Sequence, residues 1–227
     1  MENQIEQKIA GRGEWLFWLI MVLPFLYIPF IWSKLPESIP THWNMQGEPD
    51  NYSSKTYGTL FLPVLNVAMY LLLLVLPKID PRKKNYHYFG NTYRNIRLLL
   101  VLFMTVMFFI VMQMAMGTMA MDSKMVVILI FGLIAALGNF MRTIRSNFFV
   151  GIRTPWTIDN PEVWRRTHEA GGKLWFYASL IGIVVLLFIG KEYIPWLVIP
   201  YLCAIVIYPI VYSYLLFRKI SSTKTEE

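Results

Sequence analysis

Three histidines, one cysteine and a scatter of carboxylates are the residues that could do chemistry, and their spacing organises little of it. His42 lies in the polar segment Leu35–Lys55, together with Asn44, Gly47, Asp50 and Lys55. A metal site there would need more than one imidazole. The concentration of polar groups reads instead as a recognition surface, with an ordered cap over the helix ends as the plainer alternative. Pro36 and Pro40 favour extended backbone, and Gly47 followed by Pro49 and Asp50 favours a turn. His168 lies in a second long linker, near Asp159, Glu162 and Glu169. His87, in another basic linker, reads as a solvated residue. Cys203 sits inside an apolar run and reads as a small buried hydrophobe. No Ser or Cys occupies a nucleophile elbow, and neither HExxH nor a phosphate-cradling Gly-rich loop occurs. Acid–base work by His168 and Glu169 is chemically open, but no motif specifies a reaction. The expectation is a non-enzyme without cofactor or metal.

The linker around His168 carries its own helix signals. Asn160 can cap, Pro161 suits the first helical position, and Glu162 suits the positive end of the dipole. Gly171 is a natural stop, so the spacing predicts a short helix over 161–170. It would place Trp164 and His168 one turn apart on one face, flanked by Arg165 and Arg166. Such a helix is expected to lie along headgroups. Arg153 and a turn from Thr154 through Pro155 and Trp156 to Thr157 would complete an aromatic, cationic surface, and simple electrostatic anchoring to anionic lipid is the plainer reading.

The elements that position these loops follow from hydropathy. Six predominantly apolar stretches lack any Asp, Glu, Lys or Arg: Trp15–Ser33, Thr56–Pro77, Leu98–Met121, Met125–Met141, Leu174–Gly190 and Tyr193–Phe217. Each is near the roughly 20 residues a bilayer-spanning helix needs. Only 15% of the chain is charged, against about a quarter in soluble domains. The fold class expected is therefore an all-α integral membrane bundle of six transmembrane helices. The first run lacks a basic leader and a small-residue cleavage site, so it reads as a retained helix. With the N-terminus inside, 17 of the 21 Lys and Arg fall on the cytoplasmic side, which places both termini there. This asymmetry explains the net charge of +7 without nucleic acid as a partner. The partner that remains is the lipid bilayer.

Within the spans, Asn66, Gln113 and Asn139 are expected to bond between helices. No ionisable group sits at depth in the charge-free runs, which counts against ion-coupled transport. Gly132 with Ala136, and Ala178 with Gly182, are small-residue pairs that permit close helix approach. The third run is rich in Met, read as adaptable packing rather than soft-metal coordination. Pro24, Pro29, Pro63, Pro200 and Pro209 are expected to kink their helices and motivate one alternative function, transport of a small molecule or lipid. Residues 122–124 and 191–192 read as tight hairpin connections, and Ser221–Glu227 as a frayed tail.

Two loop patterns carry a family resemblance. Asn147, the run GIRTPWT from Gly151 to Thr157, then Trp164 and His168 resemble the signature of the SdpI family of membrane immunity proteins. The stretch PTHWNMQGEPD from Pro40 to Asp50, continuing to Lys55, resembles the domain of unknown function often fused ahead of it. The resemblance implies a two-part chain, 1–90 as an N-terminal two-helix domain with an extracytoplasmic loop at 34–55, and 91–227 as a four-helix SdpI-like domain with a cytoplasmic loop at 142–173. It further implies a multi-pass protein of the bacterial plasma membrane, of the immunity and signalling type. In that role His42, Asn44, Gly47, Asp50 and Lys55 face a secreted membrane-active peptide toxin. Asn147, Gly151, Arg153, Thr154, Pro155, Trp156, Thr157, Trp164 and His168 form the cytoplasmic motif, and a cytoplasmic ArsR-like repressor, sequestered at the membrane, is a further partner the resemblance implies.

Overall fold

The computed structural model describes residues 11, 13–44, 49–119 and 123–223. In chain order its elements are α1 (Glu14–Ile31), β1 (Ser38–Trp43), β2 (Pro49–Ser54), α2 (Lys55–Ile79), α3 (Tyr86–Ala115), α4 (Ser123–Met141), α5 (Pro155–Asp159), α6 (Pro161–Phe188) and α7 (Ile194–Thr223). All but the five-residue α5 among the helices are long and apolar enough to cross a membrane, six in total among the described residues. Their outer surfaces are dominated by large apolar side chains such as Phe30, Phe188 and Trp196. In water such a surface would drive aggregation; in lipid it is the solvated face. The six-helix membrane bundle is the fold that the hydropathy predicted.

Several local expectations change. The segment after α1 is an antiparallel β-hairpin rather than an irregular loop, with Ser38 opposite Ser54 and Trp43 opposite Pro49. Gly47, the expected turn residue, lies outside the described residues. The hairpin is seated on α2 through Ile39, which is fully buried. A Cβ on Gly58 would come within 2.5 Å of the Ile39 Cβ, so the contact requires glycine there.

The predicted short helix over 161–170 does not end at Gly171. It is the first part of α6, which is unbroken from Pro161 to Phe188. At about 1.5 Å per residue this helix is roughly 42 Å long, beyond the ~30 Å of hydrocarbon. Gly171 and Gly172 serve packing instead of termination. A Cβ on Gly172 would meet the Gly138 carbonyl oxygen at 2.6 Å, and one on Gly138 would meet the Gly172 oxygen at 2.8 Å. The α4–α6 interface is the most extensive between helices. Of the small-residue pairs expected from sequence, Gly182 does pack against Phe131, while Gly132 faces open space.

The helices run through all their prolines, including Pro77. In α3, which has no proline, Phe89 departs from helical geometry (φ −129°, ψ 17°) and its side chain joins a core with Tyr86, Tyr93 and Trp164. That helix ends at Ala115, earlier than its apolar run, and Thr118 donates to the carbonyl and side-chain oxygens of Gln113 at 2.9 and 2.5 Å. Gln113 thus ties its own helix end rather than a neighbouring helix. Asn139 is exposed. Asn66 does cross between helices, donating to the Val101 carbonyl at 3.2 Å and to Thr105 at 3.1 Å. Cys203 is exposed on the apolar exterior, and α7 continues helically to Thr223. The connection read at 122–124 and the tail beyond Thr223 fall partly outside the described residues.

A buried charge that the charge-free runs did not reveal is Arg97. Its side chain is 0% exposed and its guanidinium pairs with Glu14 at 3.0 Å. Tyr70 also donates to Glu14, at 2.5 Å, and Arg94 lies 3.6 Å from it. The rings of Phe17, Tyr70 and Tyr93 surround the Arg97 cation at 5.1, 5.5 and 5.8 Å. Both partners lie just outside the charge-free runs, so sequence assigned them to linkers.

Candidate functional site

The cytoplasmic motif folds into a hydrogen-bonded knot at one end of the bundle. Asn147 is fully buried and saturates its amide. It accepts from the backbone of Phe149 and Val150 at 2.9 and 2.7 Å and donates to the carbonyls of Arg145 and Val150, both at 2.9 Å. The chain then turns at Gly151, whose φ of +112° disfavours any side chain. A Cβ there would also collide with the His168 ring.

His168 is 1% exposed, and both its nitrogens are used. The Ile152 N–H lies 2.9 Å from Nε2, and the Trp164 carbonyl lies 2.8 Å from Nδ1. A backbone N–H can only donate and a carbonyl can only accept. The imidazole is therefore neutral, with its proton on Nδ1. It stacks on Trp164 with ring centroids 4.1 Å apart, and Trp164 donates to the Ile144 carbonyl at 2.8 Å. The expected exposed surface of Trp164 and His168 is corrected by this burial: the two rings form the core of the knot. An acid–base role for His168 loses its basis, because neither nitrogen is open to a substrate.

The rest of the motif divides between framework and surface. Thr154 caps α5 and shares a reciprocal capping box with Thr157, with Pro155 at the first turn. Thr157 also donates to the Ile152 carbonyl at 2.9 Å, and Thr154 bonds Ser213 of α7 at 3.1 Å. Trp156 leans on Tyr214, centroids 5.0 Å apart. Arg153 is exposed and donates to the Phe148 carbonyl at 2.8 Å. Asn160 caps α6 as predicted, accepting from Glu162 and Val163. Glu162 forms ion pairs with Arg165 and Arg166, both at 2.7 Å.

Sequence reasoning passed over the 80–86 linker, which clamps this knot. Asp80 is buried and accepts from the Phe148 backbone at 3.0 Å, from the Tyr86 hydroxyl at 3.1 Å and from the Arg82 backbone at 2.7 Å. Arg82 donates to Ser146 and, at 2.8 Å, to the Ile158 carbonyl, with its guanidinium over Phe148. Asn85 donates to the Ser146 carbonyl at 2.6 Å. The only sequence signal was an acidic residue isolated in a basic linker. His87, expected to be solvated, is half-buried against Tyr88.

The hairpin occupies the opposite end. His42 and Asp50 pair across its strands, 2.5 Å between Nδ1 and the carboxylate. Lys55 opens α2, contacts Glu37 at 3.3 Å and lies over the Trp32 ring. Asn44 and His42 rim a largely apolar cleft of about 350 Å³, walled by Met107, Met114, Val127 and Ile194. Four of the five predicted residues are thus placed on one structure, although Lys55 stands at its base and not beside His42. Among the described residues no group of three or more metal-ligating side chains occurs.

A six-span helical bundle with a folded loop knot at one end and a β-hairpin at the other defines a multi-pass plasma-membrane protein. Residues 143–213 match the SdpI/YfhL protein family, and residues 19–67 match a domain of unknown function, DUF1648. Each loop pattern lies inside one of these matches, the run from Gly151 to Thr157 in the first and the stretch from Pro40 to Asp50 in the second, in line with the resemblance seen in the sequence. It is 26% identical to the immunity protein SdpI of Bacillus subtilis over 211 residues, 91% of this chain and 96% of that protein. It is also 32% identical to an uncharacterized protein of Archaeoglobus fulgidus over 57 residues, a quarter of this chain and 31% of that one. No solved structure matches.

Proposed function

We propose that this protein is a non-enzymatic immunity and signalling protein that protects its cell from a secreted, membrane-active peptide. The observation that carries the reading is the near full-length similarity to an immunity protein, joined to two folded, motif-bearing structures at opposite ends of the bundle. The basic linkers put the knot and both termini in the cytoplasm and the hairpin outside. The chain divides into an N-terminal unit, 1–90, which bears the hairpin, and a four-helix unit, 91–227, which bears the knot. The hairpin rim of His42, Asn44 and Asp50 meets the peptide; Arg153 and Trp156, at the surface of the knot, receive a cytoplasmic repressor of the ArsR type.

Expression in a strain killed by a sporulation-delay-type peptide tests this. Survival should rise at least tenfold, and D50N should lose that protection at unchanged membrane abundance. R153A should retain protection while releasing the repressor. Unchanged killing by every such peptide would overturn the proposal.

A further inference from the structure

The knot leaves one feature unexplained: a cleft of about 650 Å³ lined by Arg82, Arg142, Arg145 and Arg165. These come from the 80–86 linker, the end of α4 and the loop after it, and the first turns of α6. Asn85 and Ser146 add polar groups, and the buried Ile144 and Trp164 form an apolar wall. No Asp or Glu among the described residues lines it. Of the carboxylates close by in sequence, Asp159 is exposed and outside the lining, and the other three are already engaged. Asp80 is held by three donors, Glu162 by Arg165 and Arg166, and Glu169 by Lys173 at 2.9 Å and Arg165 at 3.6 Å.

Among the described residues Arg165 is paired with Glu162, whereas Arg82, Arg142 and Arg145 line the same cleft without an ion-paired carboxylate, a like-charge arrangement that an anion would relieve. Two are pre-organised: Arg82 by Ser146 and the Ile158 carbonyl, Arg165 by Glu162. Arg142 and Arg145 are exposed and able to close on a ligand. Forked N–H donors match phosphate oxygens well. On the α4 side the cleft begins at Arg142, the residue after the charge-free run, which sets that side beside the headgroups. We infer that this four-arginine cleft binds the phosphate of an anionic phospholipid headgroup.

The test uses the full chain in neutral detergent, titrated with dimyristoyl-phosphatidylglycerol, dimyristoyl-phosphatidylcholine or inorganic phosphate, with bound lipid counted by native mass spectrometry. Phosphatidylglycerol should bind at least tenfold better than phosphatidylcholine. The double variant R142Q/R145Q should lose at least tenfold of that binding. R166Q/K173Q, which removes two cations elsewhere on α6, should change it less than twofold. Both target side chains are exposed, and R145Q alone supplies the same comparison if the double variant melts early. Equal loss in the two double variants, or equal binding of the two lipids, would overturn the assignment. Complete displacement of phosphatidylglycerol by an equal concentration of inorganic phosphate would also overturn it, because the occupant would then be a soluble phosphate.

Discussion

Gly151 and His168 are in direct van der Waals contact, with the glycine in the left-handed region and the imidazole filling the space where a Cβ would project. The glycine is needed twice, for its dihedral and for its missing side chain. The next residue, Ile152, then donates its N–H to the same ring. The histidine therefore acts as a fixed acceptor that holds a turn.

Replacement of Gly151 by Ala should be far more damaging than the same change at Gly117, which also has positive φ (+69°) but open surroundings. The Gly117 variant carries only backbone strain, about 1 kcal/mol; the Gly151 variant adds a clash with a buried ring, for a total of roughly 3 kcal/mol. Thermal melting in detergent should separate the two by several degrees. Equal melting points would show that the contact is not tight.

His168→Ala should lower stability by about 2–4 kcal/mol, because it leaves the Ile152 N–H without its buried acceptor and removes the ring stacked on Trp164. The check is steady-state membrane level together with the detergent melt. A variant that melts normally would contradict the structural role assigned here.

The Glu14–Arg97 pair should behave as a buried ion pair. Removing one charge, as in E14Q or R97M, should cost about 3–5 kcal/mol, and removing both should cost clearly less than the sum. A double-mutant cycle on unfolding free energies measures the coupling, and strict additivity would argue against direct pairing.

Gly172→Val should pry α4 from α6, because its Cβ would meet the backbone of Gly138 and not a movable side chain. A loss of at least 3 kcal/mol is expected, whereas Gly132→Ala, facing open space, should be nearly neutral. Melting of the two variants side by side decides this.

Orientation can be read with a membrane-impermeant thiol reagent in a C203S background. N51C, on the hairpin, should label in intact cells; R153C should label only after permeabilisation. The reverse pattern would invert the topology that the basic linkers imply.

The spans and the helix caps were legible because they depend on local composition: charge-free runs near bilayer length, and Asn160 followed by Pro161. The knot was legible as a motif but not as a shape. Trp164 and His168 beside two arginines looked like a headgroup-facing surface, since spacing fixes a shared helix face but not what covers it. Trp164 is covered by a cluster with Phe89 and Tyr93, some 70 residues earlier, and His168 by Gly151 and Ile152 of the preceding loop. Asp80 and Arg97 were missed for the related reason that their partners, Phe148 and Glu14, are distant in sequence. The hairpin was hidden because Pro36, Pro40 and Pro49 discourage strands, yet the sheet has two strands among the described residues, and both are edges where a missing N–H is tolerated.

An unbroken α6 means that the knot and the opposite end of the fifth span share one stiff lever. Its far end abuts the turn at Lys191–Tyr193, while its near end carries Trp164 and His168. A tilt imposed beside Phe188 has no hinge at Gly171 or Gly172 in which to dissipate, since Gly172 is wedged against Gly138 and Met141 of α4 and Gly171 against Ile152 and Pro209. It must reappear as a sideways displacement of the stacked rings on the other side of the bilayer.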